Sequence, residues 1–70
     1  MFSARLKAVR KTLGLSQARL AELSGVSQAY ISELEAGSKQ PTLTILDKLA
    51  SALGVTVAEL IEDGPKDKSA

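Results

Sequence analysis

Three segments of the chain repeat one pattern: Gly14-Leu15-Ser16-Gln17-Ala18-Arg19-Leu20, Gly25-Val26-Ser27-Gln28-Ala29-Tyr30-Ile31 and Gly54-Val55-Thr56-Val57-Ala58-Glu59-Leu60. In each, the glycine suits the left-handed position that closes one helix, and the Ser or Thr two residues on suits the N-cap of the next. The apolar residue before the cap is placed to pack on the apolar residue five positions later, which pairs Leu15 with Leu20, Val26 with Ile31 and Val55 with Leu60. Thr56 and Glu59 add the spacing of a capping box. A chain punctuated this closely folds as a succession of short helices.

Between the joints the apolar residues keep helical spacing: Leu6, Val9 and Leu13; Leu20 and Leu23; Ile31 and Leu34; then Ile45, Leu46, Leu49, Ala50 and Leu53. The spacing predicts five helices, at roughly 3–13, 17–24, 28–36, 43–53 and 57–62, with ends free to move by a few residues. No alternating run of β-branched residues lies between turn signals, so no strand is expected. The fold class is all-α, a compact five-helix bundle. Residues 63–70, Asp63-Gly64-Pro65-Lys66-Asp67-Lys68-Ser69-Ala70, hold nothing apolar before the last alanine. They are read as a polar tail or the start of a linker after a domain at 1–62.

Seventy residues with 44% apolar content make one domain near the lower limit of independent stability. There is no cysteine and no histidine, which excludes disulfides, thiol nucleophiles, ordinary zinc sites and imidazole acid/base chemistry. With neither clustered carboxylates nor a phosphate-cradling glycine loop, the chain is not expected to be an enzyme, and no cofactor or metal is expected. No run approaches the roughly 18 apolar residues of a membrane span, and the N-terminus lacks an apolar signal core, so a cytoplasmic location is expected. Only Phe2 and Tyr30 are aromatic, too few for the stacking platforms of single-strand binders.

The formal net charge is only +1, but its distribution is uneven. Residues 1–20 carry Arg5, Lys7, Arg10, Lys11 and Arg19 with no carboxylate, whereas residues 46–70 carry three lysines against five carboxylates. Such asymmetry can present one basic face to a polyanion, or can reflect nothing beyond solvated helix surfaces.

The joints at Gly14 and Gly25 stand 11 residues apart, which leaves the second helix about two turns before the chain reverses into the third. Two short helices on a glycine-containing turn form a helix-turn-helix unit. Ala21 is small enough to let the two axes approach. Ile31 and Leu34 anchor the third helix and leave Gln28, Ala29, Ser32 and Glu33 outward.

Leu15-Ser16-Gln17, Ala21, Gly25, Ile31, Leu34 and Glu35-Ala36-Gly37, together with Pro41 and Leu53-Gly54-Val55, resemble the lambda repressor and Cro class of the XRE family. The resemblance covers residues 3–62. It implies a DNA-binding protein whose third helix, beginning near Ser27, lies in the major groove.

On that resemblance Gln28 is the principal base reader, since its amide can both donate to and accept from adenine. Ala29 can offer only apolar contact, as to a thymine methyl, or can simply favour helix. Ser32 and Glu33 lie one turn later on the same side. Glu33 is unfavourable beside phosphates unless it accepts from cytosine N4. Gln17, at the positive end of helix two, is expected to hold a phosphate, and Ser16, Arg19, Ser27, Tyr30, Ser38 and Lys39 are further candidate phosphate contacts. Arg19 can equally be a surface residue without a role in binding, and Tyr30 a partly buried packing residue. The resemblance also implies an ion pair between Arg10 and Glu35 that serves the scaffold.

The expected function is sequence-specific binding of double-stranded DNA by a transcriptional regulator, a homodimer on a palindromic operator. Val57, Leu60 and Ile61 are candidates for the dimer interface or for packing on helices one and four. The alternative is an interaction module, such as an antitoxin subunit or adaptor, with DNA binding secondary. A partner protein or a regulatory domain C-terminal to residue 70 is left open, and neither repression nor activation is favoured.

Overall fold

The structure, a computed structural model, describes residues 2–61. Five helices follow in order: α1 Phe2–Thr12, α2 Gln17–Ser24, α3 Gln28–Ala36, α4 Leu43–Leu53 and α5 Val57–Ile61, with no strand among the described residues. The spans of α2, α3 and α4 match the sequence reading, and α1 both begins and ends one residue sooner. The expected end of the last helix at Glu62, the domain boundary after it and the polar tail from Asp63 lie outside the described residues.

Each joint is a set of local hydrogen bonds. At the end of α1, Leu15 N–H donates to Arg10 O at 3.1 Å and Gly14 N–H to Lys11 O at 2.9 Å, the paired bonds of a Schellman motif. The end of α4 repeats it, Val55 to Ala50 and Gly54 to Ser51. The turn of the helix-turn-helix uses the simpler form, a single bond from Gly25 N–H to Ala21 O at 2.9 Å, with Gly25 at φ +76°.

A fourth joint follows α3, where Gly37 has φ +81° and Ser38 N–H reaches back to Glu33 O. It lacks the following Ser-Gln or Thr-Val of the other three, so the repeated pattern does not reveal it. Starts are capped as expected: Ser16 Oγ accepts from Arg19 N–H and Ser27 Oγ from Tyr30 N–H. Thr42 caps α4 in the same way through Ile45 N–H. Thr56 and Glu59 exchange both bonds of the capping box, Glu59 N–H to Thr56 Oγ1 at 3.1 Å and Thr56 N–H to Glu59 Oε1 at 2.8 Å.

Every helix contributes to one core. Leu6, Leu20, Ile31, Leu34, Leu49 and Leu60 are wholly enclosed, joined by Val26, Ala50 and Leu53. Enclosing one such side chain contributes about 1.5–3 kcal/mol, so each of these six is a large share of the net stability of a domain this small. α2 packs on α3 and α4, α1 on α3 and α5, and α4 on α5. Arg5 Nε donates to Glu59 O at 2.7 Å, a further tie between α1 and α5.

One expectation from periodicity and one about the dimer interface are corrected. Leu13 and Leu23 keep helical spacing yet are about half exposed: Leu13 follows the last residue of α1, and Leu23, next to last in α2, lines an open groove against α4. Leu60 has no exposed surface at all, so it is a core residue and cannot face a second subunit. Val57 is partly buried against the same core, and Ile61 is half exposed.

Candidate nucleic-acid interface

Helix α3 buries one stripe and displays the other. Ile31 and Leu34, three residues apart, are fully enclosed, and this rotation leaves Gln28, Ala29, Ser32 and Glu33 exposed together. Gln28 occupies the first position of the helix, so its amide projects from the end that the Ser27 cap and the Gly25 turn hold in place.

The starts of α2 and α3 differ electrostatically from that of α5. In α5 the carboxylate of Glu59 fills the amide-rich end, whereas the first turns of α2 and α3 hold no acidic residue. Their third positions are Arg19 and Tyr30, and the positive helix ends are left uncompensated by the chain itself.

The other candidate contacts fall around these two helix starts and the loop after α3. Ser16, Arg19, Ser27, Ser38 and Lys39 are exposed, and Gln17 and Tyr30 are half-buried. Arg19 pairs with Glu22 of its own helix at 2.9 Å, with both side chains mostly in solvent. Such a pair contributes at most about 1 kcal/mol and is readily exchanged for another anion. Glu33 faces Lys39 at 3.8 Å, so the one carboxylate on the outward side of α3 has a cation beside it. Tyr30 packs against the core while its hydroxyl donates to Gln40 O at 3.3 Å, which uses its proton within the chain and leaves its oxygen able only to accept. Donation of that proton to a phosphate would require this bond to break.

Behind the exposed face lies a buried polar cluster. Arg10 Nε donates to Glu35 Oε2 at 2.6 Å and Arg10 Nη2 to Glu35 Oε1 at 2.9 Å, a fork-to-fork pair with side chains only 9% and 4% exposed. Arg10 Nη1 also donates to Leu15 O at 2.7 Å, tying the α1–α2 joint to the same guanidinium. Gln17 Nε2 donates to Glu35 Oε1 at 3.0 Å. Burial pushes the Glu35 carboxyl up. The hydrogen bonds from Arg10 and Gln17, with the charges of Arg10 and Lys7, outweigh that and hold it below the ordinary carboxylate range. The hydrogen bond to Glu35 raises Arg10 in turn, against the opposing effect of burial.

The bond from Gln17 to Glu35 had no signal in the sequence. Nothing in the spacing of two residues 18 positions apart predicts that the side chain at the start of α2 would rest on the carboxylate from α3.

The profile of the helix-turn-helix family HTH_3 matches residues 6–60, from the first core leucine of α1 to the last of α5. The chain belongs to this helix-turn-helix family. Its similarity extends to an HTH-type transcriptional regulator, y4dJ of Sinorhizobium fredii, with 45% identity over 53 residues that cover 76% of this chain and 69% of that protein. It also extends to the immunity repressor protein of Bacillus phage phi105, with 37% identity over 57 residues, 81% of this chain and 40% of the repressor. The matched part of the chain therefore spans two-fifths of that repressor's length.

Among solved structures, this helix-turn-helix chain superposes on SinR, a master regulator for biofilm formation crystallised in complex with DNA. The TM-score is 0.85 at 35% identity, over 89% of this chain and all of that one. The complex of SinR with SinI matches equally well, with a TM-score of 0.85 at 34% identity over 90% of this chain and 62% of that one. The five-helix, lambda repressor-like architecture read from the sequence is thus the fold of this family. The relatives are named as regulators and repressors, in keeping with a chain that is not an enzyme.

Proposed function

We propose that this chain binds double-stranded DNA sequence-specifically as the DNA-reading part of a transcriptional regulator, with α3 in the major groove. The observation that carries the reading is the outward stripe of α3, exposed in one row from Gln28 to Glu33 while Ile31 and Leu34 hold the opposite side in the core. In this reading Gln28 reads a base edge, Ala29, Ser32 and Glu33 lie along the groove, and Gln17 with the starts of α2 and α3 holds the backbone. Ser16, Arg19, Ser27, Ser38 and Lys39 supply further phosphate contacts, and Tyr30 does so as an acceptor only through water. Family membership and the likeness to a SinR structure that contains DNA support it.

The operator is a palindrome read by a homodimer, whose two recognition helices stand about 34 Å apart, one turn of DNA. Residues 1–62 form the binding domain and 63–70 a polar extension, in a cytoplasmic protein. Among the described residues no helix is long and apolar enough to cross a membrane. Selection from a random duplex library tests the reading. It expects one enriched, dyad-symmetric site, and failure to enrich any sequence at low salt would overturn it.

A second reading, a module that docks another protein, is favoured by the exposed Leu13, Leu23, Leu43 and Ile61 and by the likeness to the SinR–SinI complex. Recovery of a protein partner without any enriched duplex would select it.

A further inference from the structure

A shallow cleft opens beside the recognition face, lined by Lys7, Arg10 and Lys11 of α1, Gln17 of α2 and Ser32 and Glu35 of α3. Its floor is the buried Arg10–Glu35 pair, which is neutral as a unit, so the charge of the cleft is set by the two lysines of its rim. Lys7 and Lys11 are both exposed and stand four residues apart on one side of α1, where like charges oppose helix formation. Lys11 lies in the last turn, where a cation suits the negative end of the helix; Lys7 lies mid-helix, where its charge helps keep Glu35 ionised while its ammonium stays in solvent. Among the described residues neither lysine is within ion-pair distance of a carboxylate.

Across the cleft is Gln17, whose amide gives one hydrogen to Glu35 Oε1. That bond fixes the plane of the amide and leaves its second N–H to point away from the carboxylate. A rim of two exposed cations, a hydroxyl from Ser32 and an oriented amide donor is complementary to an anionic, hydrogen-bond-accepting chain.

We propose that this cleft seats the sugar-phosphate backbone of the bound duplex, with Lys7 and Lys11 of α1 neutralising phosphates on either side of the one that Gln17 holds. The inference rests on the DNA-binding reading above and extends the footprint from the helix-turn-helix to the first helix. It also gives Glu35 a second task as a positioning residue, since it orients the Gln17 amide. The lysines carry no base information, so their contribution is equal on every sequence.

The test is affinity for the selected duplex, and for an unrelated duplex, as a function of salt for the full chain and for Lys7→Gln, Lys11→Gln and Lys48→Gln. A lysine that neutralises one phosphate adds about 0.9 to the slope of log affinity against log salt, so each α1 variant is expected to show a slope shallower by about that much on both duplexes. Lys48 lines a separate groove between α2 and α4, and its replacement removes the same formal charge without touching the cleft. It is expected to leave the slope unchanged, and a cooperative thermal unfolding transition well above the binding temperature in all four proteins verifies that the fold is intact. Slopes for Lys7→Gln and Lys11→Gln that match the Lys48→Gln slope overturn the proposal while leaving the DNA-binding reading in place. A parent chain that binds neither duplex overturns both.

Discussion

Arg10 of α1 and Glu35 of α3, 25 residues apart in the chain, meet as a two-point ion pair with their side chains almost out of water. The pair fastens α1 to α3, and through Gln17 and Leu15 O it also holds the entry to α2. Removing one partner strands the other's charge in the interior, which costs about 3–5 kcal/mol. A domain of this size has a total stability of the same order. Glu35→Ala and Arg10→Ala are therefore each expected to be largely unfolded at room temperature in urea titrations, whereas Arg10→Met combined with Glu35→Leu recovers most of the stability.

The same pair sets an acid limit. The folded Glu35 carboxyl lies below its ordinary value, so the unfolded chain takes up the proton first as pH falls. The stabilisation is complete above the unfolded value, about 4.3, and is lost as pH drops through the lower folded value. Thermal midpoints are expected to be flat from pH 7 to about 5 and to decline below that, with a shallower decline in the Arg10→Met/Glu35→Leu protein. An equally steep decline in both would show that other carboxylates govern acid unfolding.

At Gly25 the backbone has φ +76°, while the space where a Cβ would project is open. The cost of Gly25→Ala therefore lies in its own backbone conformation and not in a collision with the rest of the fold, about 1–2 kcal/mol, and Gly25→Asn, which tolerates the left-handed region, is expected to cost less. Chemical denaturation orders the three proteins. If alanine were no worse than asparagine, backbone strain would not be the cause.

Gln28 and Gln17 are both glutamines at the first position of a helix, but one is exposed on the outward stripe and the other rests on Glu35. Gln28→Ala is expected to weaken the selected duplex by about 1–3 kcal/mol and to relax preference at one base position. Gln17→Ala is expected to weaken all sequences alike. Binding measured on the selected site and on single-base variants separates the two, and equal weakening by both variants on every sequence would remove the division of roles.

Ile61 is half exposed beside a Leu60 that is wholly enclosed. If the proposed homodimer forms through α5, Ile61→Glu is expected to lower dimer mass in sedimentation while leaving the thermal midpoint of the monomer nearly unchanged. Unaltered association would move the interface elsewhere.

The order and length of the helices were legible in the sequence because their causes are local. A glycine at the left-handed position, a Ser or Thr cap three residues before the amide it accepts from, and a box such as Thr56–Glu59 all act within about six residues. The same holds for the stripe of Ile31 and Leu34, which sets the outward side of α3 whatever it packs on. Gly37 is harder to read because no Ser-Gln or Thr-Val follows it, although its backbone makes the same kind of hydrogen bonds.

Packing between helices settles which apolar residues are covered and which polar ones meet. Leu6 and Leu13, like Leu20 and Leu23, share the spacing of their helix, yet the first of each pair is enclosed and the second is half exposed, because coverage depends on where a neighbouring helix crosses and not on spacing along one helix. Likewise Gln17 on Glu35, Arg5 on Glu59 O and Tyr30 on Gln40 O join residues brought together only by packing. Local chemistry along the chain dictates a row of short capped helices with a polar outward side on the third. The crossing of α1 over α3 dictates that a buried ion pair stands behind that side and a cleft with two lysines at its rim opens beside it.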